Sequence, residues 1–437
     1  MTSSDDSSKM KTSSEKSNNL LAKRYIGLEK SIWTELNALP IVHKAIDLGQ
    51  GFIDYAPPHY FIDLYKETLD DPNIFLHQYT REMGHRRLVE AISNVYSPYF
   101  NRKIDPLTEI LVTDGATQSL FNCIHSFINP DDEVILIEPF FSCYEPMVHS
   151  ACGIPRYIAL KPKPESIKAD ISSSSDWILH KNELESMFNS RTRLIIINTP
   201  NNPVGKVFTR NELEHIANLC QKHDVICISD EVYEWIVYDE NKKHIRIATL
   251  PNMWERTLTI GSAGKTFSST GLKLGWTIGP QHLMRSCRVV HQNCVISCPT
   301  ISQEVVARCF EYELKRINSS KCYFNSISNE FLEKRDKFVQ ALKECGIKPV
   351  VPDGGYFILA DYSQFAGDKF QSDTDDVKDI KFVRYLTKEK QLATIPATIF
   401  YTDDHHHLAE NYIRFCFVKK DETLDKAIEI LRKLKTN

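Results

Sequence analysis

The side chains best suited to chemistry in this sequence follow four short apolar runs. The first run leads into small residues at a helix start, where free backbone N–H groups could hold a phosphate. The others lead into side-chain amides, into a carboxylate with a phenol three residues later, and into a lysine among small residues. In chain order they are Glu109–Thr113 before Asp114–Thr117, Leu194–Ile197 before Asn198 and Asn202, Val225–Ser229 before Asp230 and Tyr233, and Thr257–Ile260 before Ser262 and Lys265. Ligands of open α/β sheets bind beyond the carboxyl ends of the strands, so we expect these groups to meet.

The elements that would position these groups alternate along the chain. Short apolar strands alternate with helical periods, which predicts βα units and a doubly wound, mainly parallel sheet. Val134–Ile137 is a fifth core strand, and Tyr157–Leu160 and Leu274–Ile278 are weaker strands of the same sheet. A capping box of Thr209 and Glu212 predicts one helix start. The predicted organisation is a disordered tail over 1–20, an arm with part of a small domain over 21–57, a large domain over 58–326 and a small α+β domain over 327–437.

The composition favours a soluble enzyme that acts on small molecules. The net charge is only −4 and like charges form no long block, so nothing favours nucleic acid or an anionic membrane as the partner. No apolar run approaches the roughly 20 residues needed to span a bilayer. Residues 1–20 contain no arginine and no apolar core, so they resemble neither a secretory signal nor a transit peptide. We therefore expect a cytoplasmic protein.

The lysine turn also suggests a nucleotide-binding phosphate loop. That motif needs a glycine five residues before its Gly-Lys pair, and Thr259 occupies the position. A P-loop protein stays as an alternative from a different class, weakened by this spacing. Taken singly, each of the other groups is more often a turn or a helix cap. Their occurrence at one predicted sheet edge is what favours a site.

One cofactor, pyridoxal 5'-phosphate, uses all four kinds of group together. It requires a lysine for a Schiff base, a carboxylate that keeps the pyridine nitrogen protonated, donors to the ring oxygen, and a phosphate cradle. Ten stretches of the chain add a family resemblance. They are LGQGF at Leu48, QYT at Gln78, DEVILIEPFFSCYEPM at Asp132, NTPNNPVGKVF at Asn198, SDEVY at Ser229, GSAGKTFSSTGLKLGW at Gly261, HQN at His291, CPT at Cys298, GGYF at Gly354 and YIRFCFVK at Tyr412.

With these stretches the sequence resembles the fold-type I pyridoxal-phosphate aminotransferases, in particular the group of kynurenine aminotransferases, glutamine transaminase K and cysteine-S-conjugate β-lyases. The resemblance implies a large cofactor domain with a mainly parallel seven-stranded sheet and a small α+β domain. It also implies a homodimer with shared active sites.

The resemblance assigns roles to the groups at the strand ends. Lys265 would carry the Schiff base and move a proton between the substrate Cα and the cofactor, while Asp230 would pair with the pyridinium nitrogen. Tyr233 and Asn202 would hydrogen-bond the ring oxygen, and Phe141 would stack on the ring.

The remaining assignments concern the phosphate and the substrate. The phosphate would be held by Ser262, Lys273, the backbone N–H groups of Ala116 and Thr117, and Tyr79 from the partner subunit. The substrate would meet Arg414, which clamps the α-carboxylate, the backbone of Gly51 opposite it, Asn202, and a side-chain pocket walled by Trp33 and Tyr79.

Three positions depart from the family pattern around the pocket. Thr117, Ile53 and Ser297 stand where relatives often have Tyr, Pro and His, which affects the expected substrate preference. His405–His407 beside two aspartates could bind a metal, but a solvated loop is favoured and the chemistry needs no metal.

The sequence thus predicts a ping-pong transaminase. The donor would be L-kynurenine, glutamine or another aromatic or sulfur amino acid, and the acceptor a 2-oxo acid such as 2-oxoglutarate, with cysteine-S-conjugate β-lyase activity on the side. A lyase or synthase of the same fold is the alternative within the cofactor class.

Overall fold

The computed structural model describes residues 21–28, 31–239, 241–365 and 377–435, and the expected tail over 1–20 lies outside them. The helices are α1 (Ile32–His43), α2 (His59–Leu69), α3 (Arg86–Tyr96), α4 (Ala116–Phe127), α5 (Tyr144–Ser150), α6 (Pro164–Lys168), α7 (Lys181–Met187), α8 (Arg210–His223), α9 (Ala263–Thr266), α10 (Gln281–Cys294), α11 (Thr300–Leu314), α12 (Tyr323–Cys345), α13 (Lys378–Glu389) and α14 (Asp421–Lys435). Short 3-10 helices include Ile74–His77, Thr270–Leu272, Ala397–Phe400 and Asp403–Leu408.

Among the described residues, the strands form two main sheets and two small pairings. They are β1 (Ile46–Asp47), β2 (Ile110–Thr113), β3 (Glu133–Glu138), β4 (Ile154–Ala159), β5 (Lys161–Pro162), β6 (Ser172–Ser173), β7 (Trp177–Ile178), β8 (Thr192–Asn198), β9 (Ile226–Asp230), β10 (Thr257–Ser262), β11 (Gly275–Ile278), β12 (Lys348–Val351), β13 (Phe357–Asp361), β14 (Leu392–Ala393), β15 (Ile395–Pro396) and β16 (Tyr412–Cys416).

The large sheet confirms the predicted fold class. Its seven strands lie in the order β2-β11-β10-β9-β8-β3-β4, and they are the seven strands predicted for the large sheet. Only β11 among the seven runs against its neighbours, so the other six point their carboxyl ends to the same edge. Long apolar runs suit these strands because helices cover both faces of such a sheet.

Helix α8 begins where the capping box predicts. The Thr209 hydroxyl accepts from the Glu212 backbone N–H over 3.3 Å, and the Glu212 carboxylate accepts from the Thr209 N–H over 2.8 Å. Both contacts satisfy backbone N–H groups that a helix start leaves without a partner. The helix then buries the predicted apolar face of Leu213, Ile216, Ala217 and Cys220.

The second sheet has five strands in the order β15-β16-β13-β12-β6. Strand β6 comes from within the range 58–326 predicted for the large domain, but it pairs with β12 in this second sheet. Strand β1 of the N-terminal arm pairs with β14 in parallel. Within the described ranges, the helices are all too short or too polar to cross a bilayer.

Candidate active site

The candidate site lies at the ends of two neighbouring strands, β8 and β9. In the ladder between β8 and β9, Asn198 lies opposite Asp230. The Asn198 amide donates to the Asp230 carbonyl over 3.0 Å, and its oxygen accepts from the Asn202 N–H over 2.7 Å. The turn after β8 is therefore fixed against the end of β9, where the strand-end argument places ligand-binding groups.

Asp230 is a buried carboxylate, 4% exposed, that is held by a tyrosine hydroxyl. Tyr144 Oη donates to Asp230 Oδ2 over 2.5 Å, and the Val232 N–H donates to Oδ1 over 3.4 Å. Burial raises the pKa of Asp230 to about 6, and the two donors limit that rise. A cation placed against this carboxylate, such as a protonated ring nitrogen, would stabilise its ionised form.

Lys265 stands in the short helix α9, three residues beyond the end of β10. Its Nζ donates to the Gly51 carbonyl over 3.1 Å and to the Tyr356 hydroxyl. The same nitrogen lies 5.0 Å from the centre of the Tyr356 ring and 5.5 Å from that of Tyr233. Burial lowers the pKa of Lys265 to about 8. At this pKa roughly a tenth of the amine is neutral and nucleophilic at pH 7, far more than for an ordinary lysine.

Sequence reasoning assigned no role to Tyr144 or Tyr356. Tyr356 Oη donates to the Gly51 carbonyl over 2.8 Å, so the hydroxyl lies between that carbonyl and Lys265. The residue is 1% exposed and belongs to the GGYF stretch. Both tyrosines lie within stretches that match the family, so the family resemblance is the signal that could have found them.

Arg414 enters from β16 of the second sheet and is 3% exposed. One guanidinium nitrogen donates to Asn202 Oδ1 over 3.0 Å and another to the Gly49 carbonyl over 2.7 Å. Its Nε has no hydrogen-bond partner among the described residues. The guanidinium carbon lies 4.0 Å from the centre of the Phe357 ring. Because Arg414 occupies the Asn202 oxygen, the amide nitrogen of Asn202 is the part left to donate to a ligand.

An anion cradle lies where helix α4 begins. Gly115, with φ +82°, turns the chain into Ala116, whose N–H is one of the free donors at the helix start. A Cβ built on Gly115 would lie 3.3 Å from Lys273 Nζ, so that ammonium is close to the same turn. Together with Ser262 at the end of β10, these groups fit a phosphate.

These groups line one cavity of about 400 Å³, a volume typical of a small-molecule site. The predicted residues that line it are Trp33, Gly51, Ala116, Thr117, Phe141, Asn202, Asp230, Tyr233, Ser262, Lys265, Lys273 and Arg414. Tyr79 does not line it and is 92% exposed. Trp33 Nε1 donates to Ser142 Oγ over 2.9 Å, which fixes the indole at the cavity wall. An acid, an amine and an anion cradle in one cavity are the set that pyridoxal phosphate requires.

Comparison with known proteins decides the family. The family model for aminotransferase class I and II matches residues 43–431. The chain belongs to this family. Human kynurenine--oxoglutarate transaminase 3 is 50% identical over 413 residues, covering 94% of this chain and 89% of the human protein. Human kynurenine--oxoglutarate transaminase 1 is 44% identical, covering 95% and 98%.

Solved structures of aminotransferases share the fold. Bna3p from Saccharomyces cerevisiae superposes with a TM-score of 0.88 at 32% identity, over 95% of this chain and 99% of that one. The N-succinyldiaminopimelate aminotransferase of Mycobacterium tuberculosis gives a TM-score of 0.83 at 30% identity, over 95% and 100%.

Family membership confirms the predicted enzyme class and cofactor. The aminotransferase binds pyridoxal phosphate and exchanges an amino group between an amino acid and a 2-oxo acid. When bound, the cofactor supplies an electron sink for the charge that develops at the substrate Cα. The P-loop alternative is wrong, because the lysine turn belongs to an aminotransferase site.

Proposed function

We propose that this aminotransferase uses L-kynurenine as an amino donor and 2-oxoglutarate or another 2-oxo acid as the acceptor. The observation that carries the proposal is the 50% identity to human kynurenine--oxoglutarate transaminase 3 over 94% of this chain. The cavity supports it, since Trp33 and Phe357 lie beside Arg414 and suit an aromatic side chain.

In the proposed mechanism, Arg414 binds the α-carboxylate of the substrate. Its planar guanidinium is already oriented by Asn202 and Gly49, and its unpaired Nε is available to a carboxylate oxygen. A carboxylate held there would place the substrate Cα in the same cavity as Lys265. Orientation of this kind contributes a large part of enzymatic rate acceleration.

Lys265 is the proposed base and acid. As a neutral amine it would take the proton from the substrate Cα, and as an ammonium it would return the proton to the cofactor carbon that carried the aldehyde. With pyridoxal phosphate bound, Asp230 would pair with the protonated ring nitrogen, while Tyr144 donates to the Asp230 carboxylate. Burial raises the pKa of Tyr233, so its hydroxyl stays protonated and would donate to the ring oxygen together with the Asn202 amide.

The same proton removal supports a β-lyase activity. When the donor carries a thiolate leaving group on its β carbon, electrons released at Cα can expel that group instead of returning to a proton. Release of thiol from a cysteine S-conjugate would measure this activity.

The protein is also proposed to be a homodimer in the cytoplasm. Tyr79 supports the dimer, because its phenol is 92% exposed in the single chain. In the proposed assembly this phenol reaches the phosphate cradle of the partner subunit.

Turnover of kynurenine with 2-oxoglutarate tests the proposed function, with glutamate formation as the readout. We expect kynurenine to be used at a kcat/KM comparable with or above that of phenylalanine and methionine. Transamination of those donors without measurable kynurenine turnover would reject the substrate and leave the enzyme class intact.

Lys265→Ala should lower turnover by roughly 10⁴-fold or more, because the base and the anchoring amine are both removed. Its melting temperature should stay within a few degrees of that of the wild type. Lys222→Ala, on the exposed side of α8, is the matched control and should keep full activity. Retained transamination in Lys265→Ala would reject the assigned role.

A further inference from the structure

Glu138 is a buried carboxylate of the large sheet, and its partners lie in the segment between β15 and β16 of the second sheet. It is the last residue of β3 and is 0% exposed. Oε1 accepts from the Thr402 backbone N–H, and Oε2 contacts His405 Nδ1. A buried carboxylate is costly unless it is hydrogen-bonded, so these contacts hold the segment 402–405 firmly against the end of β3.

Further contacts attach this segment on both sides. The Phe140 N–H donates to the Phe400 carbonyl over 3.0 Å. On the other side, the Asp379 carboxylate of α13 accepts from the Thr398 N–H over 2.8 Å and from the Thr398 hydroxyl over 2.9 Å. The 3-10 helix Ala397–Phe400 is therefore fixed between Asp379 and the Glu138 end of the large sheet.

Phe400 connects this segment to the substrate end of the cavity. Its ring centre lies 5.0 Å from the Arg414 guanidinium carbon and 6.2 Å from the Trp33 ring centre. Residues that follow Glu138 in the chain lie at the same end of the cavity. Phe141 lines it, and the Ser142 hydroxyl accepts a hydrogen bond from Trp33 Nε1. Glu138 thus joins the two segments that pack around Arg414 and Trp33.

We propose that Glu138 is a positioning residue for substrate binding, which acts through Thr402 and His405. By holding Phe400 against the guanidinium, the Glu138–His405 contact fixes Arg414 in the geometry that receives the α-carboxylate. Such support is how a binding group is kept within a fraction of an ångström of its productive position. The inference rests on the role proposed for Arg414, and the experiment separates the two.

The test compares His405→Ala with wild-type holoenzyme, using 3-phenylpropionate as a carboxylate probe that has no amino group to transfer. Perturbation of the visible absorbance of the bound cofactor reports the Kd of the probe. We expect His405→Ala to raise this Kd and the KM of both substrates about tenfold, the loss expected of one charge-assisted hydrogen bond. The kcat should stay within about twofold and the Kd of pyridoxal phosphate should not change.

Two further variants complete the design. His407→Ala is the matched control, because His407 is exposed and its Nδ1 contacts only the local Asp404 carbonyl, at 3.0 Å, among the hydrogen bonds of the described residues. It should behave as wild type. His405→Gln keeps a neutral donor and should recover part of the affinity. Glu138→Gln, which keeps an oxygen for Thr402, should raise the Kd in the same direction and is the second variant if His405→Ala folds poorly.

The outcomes separate a positioning role from a structural one. A lower melting temperature with unchanged KM and probe Kd would mean that the contact only stabilises the fold, and would overturn the inference. A loss confined to kcat would overturn it as well. Arg414→Lys serves as the reference: if this variant also leaves the probe Kd unchanged, the role proposed for Arg414 fails rather than that of Glu138 alone.

Discussion

At the scale of single residues, burial prepares an acid and an amine for the same ligand. It raises the pKa of Asp230 to about 6 and lowers that of Lys265 to about 8, so each group moves towards neutrality. Both shifts have the same cause, since a low-dielectric cavity disfavours charge of either sign. Pyridoxal phosphate has a basic ring nitrogen and an aldehyde, so it suits both a buried carboxylate and a partly neutral amine. When bound, it would supply a positive charge to pair with Asp230 and an electrophile for a neutral Lys265.

Tyr144→Phe should weaken cofactor binding at mildly acidic pH. Removing the donor to the ionised carboxylate raises the pKa of Asp230 above about 6, so the ionised form is lost at a higher pH. On the acid limb of the pH profile, the pH below which the affinity for pyridoxal phosphate falls should rise by about one unit. One hydrogen bond to a charged group is worth about that shift in pKa. Titration of the apoenzyme between pH 5 and 8 by tryptophan fluorescence measures it.

Tyr157→Phe is the control for this prediction. Tyr157 donates to Glu145 over 2.6 Å and does not line the cavity, so the same chemical change should leave the acid limb in place. An acid limb that stays fixed or moves down in Tyr144→Phe would contradict the assigned role of Tyr144.

Functional side chains that follow strands could be predicted from the sequence pattern. Those that distant segments bring to the site could not. Lys265, Asp230 and Asn202 each follow an apolar run, so the sheet-edge rule finds them. Arg414 lies inside a strand of the second sheet, where an arginine is ordinarily a surface residue, and only the resemblance identified it. Tyr356 was missed because its hydroxyl acts through a long-range contact with Gly51 that no local pattern encodes.

At the scale of elements, the anion cradle depends on the direct packing of β11 against the start of α4. A Cβ on Gly275 would lie 2.6 Å from the Ala116 backbone nitrogen and 2.9 Å from the Gly261 carbonyl oxygen. No side chain fits at these distances from backbone atoms. The glycine therefore lets the reversed strand β11 lie close enough to hold the helix start at the sheet edge.

Gly275→Ala should displace the start of α4 and weaken cofactor binding. The clash is with backbone on both sides, so we expect a loss of stability of about 1–3 kcal/mol. The Kd of pyridoxal phosphate should rise at least tenfold. Gly271→Ala is the matched control, because its Cβ would meet no atom of the described residues within 4 Å apart from its own chain neighbours. Equal cofactor affinities in the two variants would show that the helix start does not hold the phosphate.

The elements themselves were largely predictable, and their long-range partners were not. The seven strands of the large sheet appear within three residues of the predicted bounds, because buried parallel strands are continuous apolar runs. Strand β6 has two serines and no apolar pattern, and only its partner β12 defines it. The division of the chain at residues 57 and 326 stays a prediction.

At the scale of the whole molecule, one charged network connects α3 with α11. Glu304 contacts Arg87 over 2.5 Å, Arg308 over 2.7 Å and His85 over 3.1 Å. Burial alone would raise the pKa of Glu304, but the hydrogen bonds from His85 and Arg308 and the nearby positive charges outweigh it and lower the pKa to about 2. Its ionised form is therefore favoured by folding.

Glu304→Gln should destabilise the protein by roughly 2 kcal/mol at pH 7. The contribution of Glu304 is complete above the unfolded pKa of 4.5 and is lost as the pH falls towards 2, so wild type and variant should converge there. Denaturant unfolding at pH 7, 4 and 3 checks this. Glu90→Gln, in an exposed pair with Arg86, should cost less than about 0.5 kcal/mol and serves as the control. A difference that grows on acidification would contradict the assignment.

The exposed apolar surface favours an assembly. Ile74 is 68% exposed, Phe75 71% and Tyr79 92%, and the Gln78 carbonyl accepts from Thr300 over 2.6 Å, which ties this segment to the start of α11. Large apolar groups exposed in sequence neighbours are typical of protein interfaces. In the proposed homodimer this segment covers a subunit boundary and carries Tyr79 to the partner's phosphate cradle.

A shared site predicts complementation between two inactive variants. Tyr79→Ala removes a phosphate donor from the partner's site, and Lys265→Ala removes the base from its own, so a mixed dimer has one site in which both residues are intact. Random exchange of equal amounts should restore about a quarter of the wild-type sites. Turnover after co-refolding measures the recovery. Lys265→Ala mixed with Asp230→Asn is the control, because both changes then fall within their own chain's site and every site stays defective. If Tyr79 served its own chain, the first mixture would also stay inactive, and the proposal that the two subunits share the phosphate cradle would be wrong.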